Sequence, residues 1–81
     1  MKLSSKALKE LKRYFPRDWA AVLRERIIEK HQSTFSTNYI RYVLDGEDHR
    51  HNDLIVQEAY EYYLELKDQV ETAEAEILKS A

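Results

Sequence analysis

The chain has 81 residues, 43% of them hydrophobic and 35% charged, with a single Gly, a single Pro and no Cys. That length holds one small core and no second domain, and so little Gly and Pro excludes a turn-rich β fold. The net charge of −2 conceals a division, because residues 1–42 hold ten Lys/Arg against four Asp/Glu and residues 43–81 hold three against eleven.

Residues 4–15 read as an amphipathic helix in which Leu8, Leu11 and Phe15 recur at spacings of three and four, the period of one helix face. Ser4 or Ser5 can cap it. Pro16 stops it and can open the next helix, where a missing amide costs little. Residues 17–31 form a second helix with Trp19, Val22, Leu23 and Ile27 as its buried stripe and Asp18 near its positive end. Gln32-Ser33-Thr34 is a polar break. Residues 36–44 then form a short third helix, with Ser36 as its N-cap and Gly46 just past its end. Ile40, Val43 and Leu44 share one side of it, leaving Thr37, Asn38 and Arg41 on the other. A charged loop follows, and Asn52 or Asp53 caps a long fourth helix over about 52–79. Its apolar positions Val56, Ala59, Tyr63, Leu66, Val70, Ala73 and Ile77 step by 3, 4, 3, 4, 3, 4, a heptad seam. The part through Leu66 is expected to close the core. The part from Gln69 onward overruns so small a core and must dimerise or fray.

The block from Phe35 to Gly46 resembles the recognition helix of helix-turn-helix DNA-binding proteins of the repressor/Cro-like type. In that family a Ser often opens the second helix of the motif, apolar residues anchor it and a Gly follows, matching Ser36, Ile40, Val43 and Gly46. Arg50-His51-Asn52-Asp53-Leu54-Ile55 is similar to the basic turn and next helix start of such regulators, so the resemblance spans about Asp18 to Tyr63. The chain departs from the family between the motif's two helices. Thr34 stands where a turn Gly is usual, and Glu29 and Lys30 stand where a small residue is usual. Either an elongated first helix or a longer connection through Gln32-Ser33-Thr34 would accommodate the difference.

The resemblance implies a small transcriptional regulator that binds double-stranded DNA. Thr37, Asn38 and Arg41 would read bases, since Asn suits adenine and Arg suits guanine. Arg17, Ser36, Tyr42 and Arg50 are candidates for phosphate contact, with Lys30 and Arg24 as further cations. Leu66, Val70, Ala73 and Ile77 would form the seam of a homodimer.

Other chemistries find less support in the residues. His49 and His51 form a single His-x-His pair without the further well-spaced ligands of a structural zinc site, so no metal is expected. Tyr60, Tyr62 and Tyr63 sit among Glu58, Glu61 and Glu65, which would repel a nucleic-acid strand; core or protein contact is the reading, with one or two of the rings exposed or at an interface. No Cys nucleophile, phosphate-cradling Gly loop or evident Ser–His–Asp set is present, and neither an enzyme nor a cofactor or small-molecule ligand is expected. No signal peptide follows Met1, and no window is long and apolar enough for a membrane span. With the lack of Cys, this makes a cytoplasmic location the expectation.

The fold expected is therefore all-α: a single domain over residues 1–81 with four helices, a helix-turn-helix at about 17–46 and a long C-terminal helix. The alternative function is a helical protein–protein interaction module whose working surface is the heptad seam. A third is a phage-type factor that uses this fold to block another protein.

Overall fold

A computed structural model describes residues 3–45 and 51–80. Among the described residues there are four helices and no strands: α1 (Ser5–Lys12), α2 (Trp19–His31), α3 (Thr37–Leu44) and α4 (Asp53–Ser80). None is long and apolar enough to cross a membrane.

Local chemistry accounts for most of the helix ends. The Ser4 hydroxyl accepts a hydrogen bond from the Ala7 amide at 3.2 Å, and the Asn52 side-chain carbonyl accepts from the amides of Leu54 and Ile55 at 3.0 and 3.2 Å. Each satisfies amides that the first turn of a helix leaves unpaired. α1 is shorter than its apolar spacing suggests. Its last turn tightens through successive i→i−3 bonds from the amides of Arg13, Tyr14 and Phe15, because a residue before proline is disfavoured in the helical region. Pro16 does not open α2. It lies in the preceding turn, where its carbonyl accepts from the Trp19 amide, and Asp18 takes the N-cap position of α2 without a side-chain cap bond.

α2 ends without a glycine. Gln32 takes the left-handed conformation at φ 55°, ψ 28°, and its amide bonds the Ile28 carbonyl. This is the reversal that a Gly would make at no steric cost. α2 stops at His31, and Gln32 to Ser36 lead into α3 outside any helix.

The core draws on all four helices: Leu8 and Leu11 from α1, Ala20, Leu23 and Ile27 from α2, Ile40, Val43 and Leu44 from α3, and Ile55, Val56 and Ala59 from α4. Ala20 takes the place expected for Val22, which is only half-buried. A small residue there suits close packing of α2 on its neighbours. Aromatic rings seal the junction of α1, α2 and α4. Phe15 lies 5.6 Å from Trp19 and 5.1 Å from Tyr62, and Tyr14 meets Tyr63 edge-on at 5.3 Å. The three tyrosines of α4 are consequently all half-buried, and none is left exposed.

Two predictions arise from these ends. Gln32→Gly should raise stability by roughly 0.5 kcal/mol in urea titrations, the relief of a left-handed side chain being partly offset by a more flexible unfolded chain. The His51 imidazole hydrogen-bonded to Asp53 is the largest of the causes holding that carboxyl below its usual range. A depressed carboxyl stabilises the fold above its unfolded pKa, and that contribution disappears as pH falls through the folded value. His51→Ala should therefore move the Asp53 titration upward in NMR.

Candidate nucleic-acid interface

α3 is eight residues long, too short to persist alone in water. Its rotation is set by three side chains with almost no exposed surface, Ile40, Val43 and Leu44, each worth roughly 1.5–3 kcal/mol on burial. Its start is set by the Ser36 hydroxyl, which accepts from the Tyr39 amide at 3.1 Å. The rings of Phe35 and Tyr39 stack at 5.6 Å and tie the incoming chain to the first turn. With that orientation fixed, Asn38 and Arg41 are exposed, Tyr42 is 46% exposed, and Thr37 is half-buried. Of the three expected base-reading residues, Asn38 and Arg41 share an open face and Thr37 is less accessible. Ser36 is exposed, but its oxygen is engaged in the cap. Arg17 is exposed in the turn before α2. Arg50, together with Gly46 and His49, lies outside the described residues.

The basic half of the sequence is not a free basic surface. Lys12 Nζ lies 3.1 Å from Asp45 Oδ1, joining α1 to the end of α3. Arg13 pairs with Glu10 at 3.2 Å and Arg24 with Glu25 at 3.5 Å. Lys30, expected as a candidate for phosphate, turns instead to α4, where its Nζ lies 3.1 Å from Glu58 Oε1. Among the described residues, Lys6, Lys9, Arg17 and Arg41 are the basic-half cations outside ion pairs.

Glu58 is the centre of a buried charge cluster between α2 and α4. Its side chain has no exposed surface. Besides Lys30, Arg26 Nε stands 3.9 Å from Oε2 and His31 Nε2 stands 3.9 Å from Oε1. None of these approaches has the alignment of a hydrogen bond, so the attraction is Coulombic. Arg26 also reaches Glu65 at 2.6 Å and stands 5.2 Å from the centre of the Tyr62 ring. The Tyr62 hydroxyl is pushed above its usual pKa, first by desolvation and then by the nearby Asp18 charge. Sequence reasoning passed over Arg26 and Glu58 as pairing residues. The available signal was their position: Arg26 falls three residues after Leu23, and Glu58 three after Ile55, which puts both on core-facing sides of their helices.

Of the seam residues, Leu66 is half-buried, Val70 is 45% exposed, Ala73 is exposed and Ile77 is 69% exposed. The apolar stripe thus leaves the core about midway along α4. Against this geometry, no protein-family model, curated protein or solved structure matches the chain.

Removing the two sides of the buried pair should have unequal effects. Arg26→Met together with Lys30→Met strands a carboxylate that has no exposed surface and should cost about 3 kcal/mol or more. Glu58→Gln should cost nearer about 1 kcal/mol, because Arg26 keeps Glu65 and Lys30 can reach water. Urea unfolding at neutral pH measures both, and an equal or reversed order would contradict the account.

Proposed function

We propose that this protein binds double-stranded DNA through the outer face of α3 and acts as a small transcriptional regulator in the form of a homodimer. The observation that carries the reading is the division of α3: three residues anchor it in the core while Asn38 and Arg41 project from the opposite side. An amide and a guanidinium on one short, rigidly packed helix suit the edges of adenine and guanine in the major groove, each bidentate contact supplying about 1–3 kcal/mol of discrimination. Thr37 stands in the first turn, the end that points into the groove in helix-turn-helix proteins. Arg17 and Tyr42 suit phosphate, as does the Ser36 hydroxyl by donation, and Arg50 follows α3 in sequence. The acidic residues of α4 beyond the core would point away from the duplex.

The ion pairing within the basic half sets the expected size of the electrostatic term. Arg17 and Arg50 on phosphate would lower affinity about tenfold per chain between 50 and 200 mM salt. That is a moderate dependence, well short of a protein with a continuous basic surface.

One observation favours a second reading. The apolar stripe of α4 is open from Val70 to Ile77, and this surface could be the functional one in a protein-interaction module.

The deciding experiment is fluorescence anisotropy with mixed-sequence duplexes at 50 and 200 mM salt. Arg41→Ala should weaken binding roughly 5- to 150-fold and relax the base preference at its position. Asn38→Ala should flatten preference among sequences, and Arg17→Ala should weaken all sequences alike. Lack of binding at the lower salt by a folded dimer would sink the DNA reading and leave the interaction module.

A further inference from the structure

We infer that the open half of α4 pairs with the same half of a second copy in antiparallel orientation, in one register specified by charge. The inference rests on the homodimer reading and adds its geometry. Leu66, Val70, Ala73 and Ile77 continue the stripe that Val56 and Ala59 bury in the core, so the exposed segment presents the same helix face that packs elsewhere. That face is narrow and spaced by 3 and 4, as a partner helix requires.

The residues beside the seam decide the orientation. Lys67 and Glu74 lie on one flank, Gln69 and Glu76 on the other. In a parallel, in-register pair the flanks face each other crosswise. Gln69 would then meet Glu74, and Lys67 would meet Tyr62, so no opposite charges come together. In an antiparallel pair each flank meets itself. With Leu66 packed on Ile77 of the second copy and Val70 on its Ala73, Lys67 faces Glu74 of the second copy twice by symmetry, and Gln69 faces Glu76. Sliding by one heptad in one direction brings Lys67 against Lys67. Sliding in the other brings Glu74 against Glu74 and Glu76 against Glu76. Only one antiparallel register is therefore attractive. Lys67 is available for it: its Nζ stands 5.9 Å from the Tyr63 ring centre, at the outer limit of a cation–π contact. Leu64 and Leu78 lie off the seam and take no part.

This register places the two cores at opposite ends of the paired helices. Ala59 and its copy are separated by about 38 Å along the axis at 1.5 Å per residue. The seam is short and has Ala at its centre, so the dimer should form on the order of micromolar concentrations, as small interfaces do.

The test combines sedimentation equilibrium with single cysteines, which are unambiguous in a chain that has none of its own. Full-length protein should dimerise, and Val70→Asp with Ile77→Asp should abolish dimerisation while circular dichroism and urea unfolding show the core intact. Mixing Leu66→Cys with Ile77→Cys protein should give a disulfide-linked heterodimer under mild oxidation. Ile77→Cys alone should not cross-link, since its two copies would lie about 16 Å apart along the axis. Lys67→Glu should raise the dimer dissociation constant about tenfold, and Lys67→Glu with Glu74→Lys should restore it. Self-linking of Ile77→Cys, or failure of the charge exchange to rescue, overturns the register while leaving a homodimer. A protein that stays monomeric at several hundred micromolar overturns the dimer itself, whatever its affinity for DNA.

Discussion

A fully buried carboxylate governs how the two longest helices meet. Glu58 has no water to solvate it, and a bare charge in such a place would be expelled or neutralised. It is held by Arg26 and Lys30, both from α2, with Glu65 drawing on Arg26 from one further turn pair along α4. The spacing of four on α2 and seven on α4 lets both pairs form together in one alignment of the helices. A slip of a single turn would keep only one of the two pairs. Hydrophobic burial brings α2 and α4 together without direction, and the charges select the register at which they stop.

The consequence reaches the charge distribution of the whole chain. A basic first half and an acidic second half suggest a molecule with two electrostatic faces. In the fold the halves answer each other across helix contacts: Arg26 and Lys30 to α4, Lys12 to Asp45. What remains exposed is a small set of cations rather than a broad field. α3 sits on this frame through Ile40, Val43 and Leu44, so the direction of Asn38 and Arg41 depends on an arrangement of α2 and α4 that neither residue touches in sequence.

α4 shows how one pattern can serve two environments. Its apolar repeat runs unchanged from Val56 to Ile77, yet Val56 and Ala59 are buried while Val70 and Ile77 stand open. The repeat describes a face, and burial depends on whether anything lies opposite. α1 to α3 cover the first half only. Beyond that point the stripe has the character of a core without the neighbours of one.

Much of the fold was legible along the chain: the order and number of helices, the caps at Ser4, Ser36 and Asn52, and the anchored side of α3 against its open side. These depend on interactions within about one helical turn, so local sequence determined them. Tertiary structure alone decided that Gln32 would reverse the chain in place of a glycine, that Ala20 rather than Val22 would meet the core, and that Tyr62 and Tyr63 would be packed by Phe15 and Tyr14. It also decided that Lys30, while still exposed, would pair with Glu58. Each of these outcomes joins residues far apart in the chain, and helical periodicity states which side a residue faces but not what stands there.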